Sequence, residues 1–129
     1  MKDLIKWLVT TVSTGFIYLV GGVDNALITL CIIMTLDYIS GVCSAIYNKK
    51  LNSKIGFKGI LKKAVYFVII IVAQRVDMLM GFENTMRTLV IYFFVANDGI
   101  SILENVCEMN IPVPNKLREI LEQLRKDND

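Results

Sequence analysis

Three long apolar stretches, Ala26–Tyr47, Ala64–Phe82 and Met86–Cys107, constrain this chain more than any other feature. Each has about the length of helix that crosses a ~30 Å hydrocarbon core at ~1.5 Å per residue. A soluble protein of 129 residues has little need of three such runs. Hydrophobic residues make up 54% of the chain and charged ones 20%, which leaves few positions to face water. The two prolines, Pro112 and Pro114, lie outside these runs, so nothing breaks them and all three read as helices. The expected fold is all-α: a multi-pass helical membrane protein in one domain, with no separate soluble module.

A weaker stretch precedes them. Leu4–Val20 contains Lys6, Thr10, Thr11, Ser13 and Thr14, and Gly21-Gly22-Val23-Asp24-Asn25 reads as a tight turn into the next helix. No small-residue cleavage site follows it, so it does not resemble a signal peptide. Residues 4–23 are assigned as a first membrane helix, giving four spans with 26–47, 64–82 and 86–107. If this helix lies in the interface instead, there are three.

Charge gives the orientation. Residues 48–63 form a basic loop with Lys49, Lys50, Lys54, Lys58, Lys62 and Lys63 and no acid. The net charge of the chain is only +2, so the remainder is acidic on balance. With four spans, the loop and both termini share one side, and the opposite side carries only Arg87, with Asp24 and Glu83. The positive-inside rule places the lysine-rich side, C-terminus included, in the cytoplasm. Flanked by apolar spans, the lysines suit anionic lipid better than nucleic acid, at ~1 kcal/mol per lysine near the surface. Ser53 can cap a short helix through Lys63, lying on the inner leaflet, the alternative being a solvated loop. After Pro114, residues 115–126 predict an amphipathic C-terminal helix: Leu117, Ile120, Leu121 and Leu124 recur at i, i+3, i+4 and i+7. It should lie on the membrane or on a partner subunit.

Polar groups inside the spans are costly, at ~2.5–3.5 kcal/mol or more for a charge at the bilayer centre. Counting from each apolar run places Asp37, Arg75 and Asp98 near the midplane, with Asp77 further out. Arg75 can pair with Asp37 or Asp98 and lock a bundle, or these groups can line a water-filled lumen. Asp37, Gly41 and Ala45 share one helix face, with Ser40 and Ser44 beside it, and this small-residue face lets another helix approach closely. Asn97, Ser101, Asn105 and Glu108 repeat every four residues, flanked by Asp98 and Glu104. Such a stripe must face protein or a pore.

The chain has no histidine, and Cys31, Cys43 and Cys107 lack CxxC spacing. That removes His-based triads and most zinc or haem sites, and the cysteines read as apolar packing residues. No catalytic set, metal site or cofactor motif is expected.

Four segments together resemble a known family. They are Leu36-Asp37-Tyr38-Ile39-Ser40-Gly41, Ser53-Lys54-Ile55-Gly56-Phe57-Lys58-Gly59, Ser101-Ile102-Leu103-Glu104-Asn105 and Pro112-Val113-Pro114. Their order is similar to that of the phage holin family that includes clostridial toxin-secretion holins. The family usually has Asn-Glu where this chain has Asn97-Asp98, so the carboxylate is kept on a shorter side chain. The resemblance implies a non-enzymatic homo-oligomer of the bacterial inner membrane. It would open a lesion for an endolysin or a large toxin, as cargo without stable binding, and an antiholin is a candidate partner. A small ion channel or transporter subunit, or an antiholin or membrane assembly factor, remains an alternative.

Overall fold

The structure, a computed structural model, describes residues 1–127. Among them are five helices and no strand: α1 (Lys2–Leu19), α2 (Asn25–Tyr47), α3 (Ser53–Met80), α4 (Thr85–Glu108) and α5 (Asn115–Asp127). Two of these, α2 and α4, are long and apolar enough to cross a membrane. The last 18 residues of α3 hold Lys63, Arg75 and Asp77, and α1 opens with Lys2, Asp3 and Lys6.

The turns follow from local chemistry. Each of α1, α2, α3 and α4 ends with a residue of positive φ: Gly21 (90°), Lys49 (58°), Gly81 (71°) and Asn110 (63°). At each end the next amide reaches back five residues, as in Gly22 N–H to the Ile17 carbonyl at 2.8 Å and Ile111 N–H to that of Val106 at 3.3 Å. These are the bonds that satisfy the orphan carbonyls of a terminated helix. At the starts, the Asp24 carboxylate accepts from Leu27 N–H at 3.0 Å, and the Asn52 side chain accepts from Lys54 N–H at 2.9 Å. The cap of α3 is therefore Asn52 and not Ser53.

The basic segment departs from expectation in a second way. Residues 48–63 are not one loop. After a turn, the chain enters α3 at Ser53 and continues without a break into the apolar run, for 28 residues. Lys54, Lys58, Lys62 and Lys63 lie on the first turns of this helix, and Lys49 and Lys50 in the turn before it.

α4 is the centre of the fold. Its most extensive contact is with α2, then with α3 and α5, while α1 touches only α3 and buries no residue. Leu27, Leu30, Met34, Tyr66, Ile70, Ile91 and Phe94 form the core, with Val20 from the first turn. The Tyr66 and Phe94 rings stack, centroids 3.9 Å apart. Much of the apolar surface lies outside: Leu8, Val12, Ile32, Ile39, Val68, Val72 and Leu79, among others, are exposed. An apolar exterior around a core with buried charges fits lipid as the surrounding solvent.

Candidate functional site

The polar centre of the bundle is built on one level. Asp37 lies ten residues before the end of α2, Lys63 ten after the start of α3, and Asp98 ten before the end of α4. At ~1.5 Å per residue, each sits ~15 Å from the helix ends on that side. The Lys63 ammonium bridges the two carboxylates, 2.6 Å from Asp37 Oδ2 and 3.1 Å from Asp98 Oδ2. The Tyr66 hydroxyl, one turn along α3, donates to Asp98 Oδ1 at 2.8 Å, and Asn97 Nδ2 donates to that hydroxyl at 3.2 Å. Asp98 is 2% exposed. Lys63 floors a groove of about 320 Å³ between α2 and α3, beside Met34, Tyr38 and Phe67.

This arrangement corrects the expected pairing. Arg75 meets neither Asp37 nor Asp98. It is exposed, five residues from the end of α3, and its guanidinium donates to Met78 Sδ at 3.5 Å. Counting from Ala64 put Arg75 at the midplane, but the helix starts eleven residues earlier. That shift brings Lys63 to the level of the carboxylates. Lys63, expected at the inner leaflet with the other loop lysines, is instead the interior cation.

Below this level the stripe on α4 faces α2 within the same chain. Asn105 Nδ2 donates to Ser40 Oγ at 3.0 Å and, more weakly, to Asp37 at 3.4 Å. Gly41 lies beside Asn105, where a methyl group would meet Nδ2 at 3.5 Å. Ser44, buried, donates to Glu108 Oε2 at 2.7 Å, and Asn48 Nδ2 donates to the Glu108 carbonyl at 3.4 Å. Ala45 and Ser101 are half-buried, and Glu104 is exposed. The structure thus brings together Asp37, Ser40, Gly41, Ser44, Asn97, Asp98 and Asn105 as an intramolecular seam. Contact with α2 is a sufficient reason for this stripe to avoid lipid.

A second cluster, at the opposite end, was not anticipated. Arg87, read from the sequence as a charge of the outer side, is 1% exposed. Its guanidinium donates to Asp24 Oδ2 at 2.7 Å, to the Val20 carbonyl at 2.5 Å and to that of Gly22 at 2.9 Å. Asp77, placed by counting a little further out than the midplane and grouped with the interior charges, instead caps α4: its carboxylate accepts Met86 N–H at 2.8 Å and Arg87 N–H at 2.9 Å. Asn84, the residue before α4, has φ of 60° and its side chain makes no cap, so the cap comes from across the turn. Gly21 is required here, both by its φ of 90° and because a methyl group would lie 2.6 Å from Gln74 Oε1 and 2.7 Å from Arg87 Nε. One clue was available in the sequence: Arg87 and Asp24 are an opposed pair on a side with few other charges.

Hydrogen bonding from Arg87 holds the Asp24 carboxyl below its ordinary value of 3.8, against an opposing effect of burial, with help from Leu27 N–H. A carboxyl depressed in the folded state stabilises above its unfolded pKa and loses that effect as pH falls through the folded value. Wild type should therefore melt above Asp24→Asn in detergent by a constant margin from about pH 5 to 7. The margin should shrink as pH falls below 3.8. Thermal unfolding of both proteins across this range checks it, and a pH-independent margin would argue against the pair.

The described residues contain no group of three or more His, Cys, Asp or Glu placed to hold a metal. The charged clusters found are structural in geometry: each carboxylate is answered by a cation or by amides.

Comparison with known proteins places this bundle. Residues 14–126 match the model of the bacteriophage holin family. An uncharacterised 14.9-kDa protein of Clostridium perfringens is 42% identical over 95% of this chain and 93% of its own length. A Listeria monocytogenes protein, also uncharacterised, is 38% identical over 94% of this chain and 86% of its own. A probable holin of Bacillus phage phi105 is 30% identical over 78% of this chain and 74% of its own. No solved structure matches. The chain belongs to the bacteriophage holin family, in keeping with the resemblance in its motifs, and with two apolar helices of spanning length it has the character of a membrane protein.

Proposed function

We propose that this member of the bacteriophage holin family is a holin: it accumulates in the bacterial inner membrane and assembles with copies of itself into a lesion that lets a folded protein out. The observation that carries the reading is the family match over residues 14–126. The structure adds physical support. Its exterior is apolar on the faces lipid would cover, and its charges are paired inside. Such a subunit can rest in a bilayer without leaking. The lesion is non-enzymatic, and endolysin or a large toxin passes as cargo.

The orientation follows the lysines. In this reading Lys49, Lys50, Lys54, Lys58 and Lys62 face the inner leaflet, where each is worth ~1 kcal/mol of attraction to anionic lipid, and α5 is cytoplasmic. Four spans are proposed, with α1 held at its outer end by Arg87. Cysteines placed at Asn52 and Gln123 in a variant lacking Cys31, Cys43 and Cys107 should resist an impermeant thiol reagent in intact spheroplasts before lysis. Labelling of both from outside would reverse the orientation.

Function is tested by inducing the chain together with an endolysin that lacks an export signal, or with a cytosolic reporter enzyme. A holin should collapse the membrane potential at a set time and release the enzyme with it. Collapse with the enzyme retained would indicate a small ion channel. Neither event would indicate an antiholin or assembly factor.

A further inference from the structure

α5 does not extend away from the bundle. It folds back along α4, and its contact there is as extensive as that of α3. The seat is specific. Leu121 lies on Gly99, where even a methyl group would come within 3.0 Å of Leu121 Cδ2 and 3.2 Å of Cδ1. Arg118 reaches Cys107 Sγ at 3.7 Å. The reversal is built by Asn110, whose φ of 63° ends α4 and whose side chain donates to the Tyr47 hydroxyl at 3.2 Å.

This position conflicts with lipid. Gly99 lies nine residues before the end of α4, ~14 Å into a spanning helix. A docked α5 therefore runs beside the inner half of the span. Its outward side presents Lys116, Glu119, Gln123 and Lys126, all exposed, with Leu117 and Ile120 about half exposed beside them. Hydrocarbon against that side would strip water from each of those charges with no partner to replace it. Water against it costs nothing comparable. The undocked helix has an equally good home, because its apolar positions and its cations Lys116, Arg118, Arg125 and Lys126 suit the anionic inner leaflet.

We propose that α5 is a hinged segment with two seats. In dispersed subunits it lies on the inner leaflet. In the assembled lesion it docks on the Gly99 face of α4 and lines the inner half of the opening with its polar side. This inference rests on the holin reading above, and it assigns the lining of the inner half to α5 rather than to the seam between α4 and α2.

The test uses the full chain with Cys31, Cys43 and Cys107 replaced by serine and with Gly99→Cys and Leu121→Cys added. Replacing Leu121 removes the atoms that crowd Gly99, and the sulfur introduced by Leu121→Cys would take the place of the Leu121 Cγ that lies 3.7 Å from a Cβ at position 99, close enough for brief oxidation to report docking. Membranes are oxidised briefly before and after the onset of lysis, and release of a cytosolic enzyme is followed in the same cells. The intrachain crosslink should be scarce before onset and at least five-fold more abundant after it. An equal yield at both times, or none after onset, would overturn the two-seat proposal while leaving a releasing chain a holin. If the parent chain releases no enzyme, the holin reading fails and this proposal with it. A second variant removes dependence on the disulfide. Gly99→Leu fills the seat with an apolar side chain whose nearest neighbour at that position is Leu121 of α5, so it should accumulate in the membrane yet release at least ten-fold less enzyme. Normal release from Gly99→Leu at equal protein level would also overturn the proposal.

Discussion

Lys63→Met should cost the bundle about 3–5 kcal/mol, the scale on which one partner of a buried ion pair is missed. The lysine is the cation for two carboxylates, 2.6 Å from Asp37 and 3.1 Å from Asp98. Without it, two acids from neighbouring helices face each other in a low-dielectric setting with no cation between them. The Tyr66 hydroxyl and Asn105 amide that also serve these acids are neutral and cannot replace the charge. Lys63→Met should therefore lower the amount of folded protein in membranes and the melting temperature in detergent. Adding Asp37→Asn and Asp98→Asn to it should recover much of the loss, because no uncompensated charge remains. Lys63→Arg should lose less than Lys63→Met. Arg75→Gln, on an exposed side chain near the C-terminal end of α3, should be close to neutral. If Arg75→Gln proved the more damaging of the two, the interior cation would be misassigned.

That comparison shows where sequence and structure part. The apolar runs are legible because some twenty residues without a break permit little besides a helix. Their polar positions are legible too: Asp37, Asn97, Asp98 and Asn105 had to face protein or water, and Asn105 meets Asp37 across α2 and α4 while Asn97 and Asp98 meet Tyr66 and Lys63 of α3. What composition hid was the start of α3. The short helix expected over Ser53–Lys63 reads as separate from the apolar run beginning at Ala64, yet Asn52 caps a single helix that runs through both and carries Lys54, Lys58, Lys62 and Lys63. Depth along a helix is counted from its first residue, so an error of eleven residues moved the midplane from Lys63 to Arg75. The fold-back of α5 left no periodic trace, since a helix made to lie on a membrane and one made to lie on α4 carry the same apolar spacing. Gly99 helps to distinguish them, and its role appears only with Leu121 above it.

Arg87→Met should be the other large loss, and it acts at the far end of the molecule from Lys63. Methionine keeps much of the aliphatic volume and removes only the guanidinium. That group is 1% exposed and answers three acceptors: the Val20 and Gly22 carbonyls and the Asp24 carboxylate. The carbonyls belong to the turn that ends α1, where Gly21 leaves no room for a replacement side chain or a rearranged path. Each buried acceptor left without a donor costs about 1–3 kcal/mol. Asp24 is half exposed and can turn to water, so its charge adds less. The sum is again several kcal/mol, but its consequence should be local. Asp77 bonds the Arg87 amide, not its side chain, so the start of α4 keeps its cap in the variant. α1 has almost no other hold on the bundle, touching α3 chiefly through Phe16 and Phe67, whose centroids are 5.5 Å apart. Hydrogen exchange in detergent should therefore rise through residues 2–24 in Arg87→Met and stay near wild type in α2, α3 and α4. Lys63→Met should show the reverse emphasis, with exchange raised where α2, α3 and α4 meet. Uniform loss of protection in Arg87→Met would mean that this cluster holds the whole bundle rather than α1 alone.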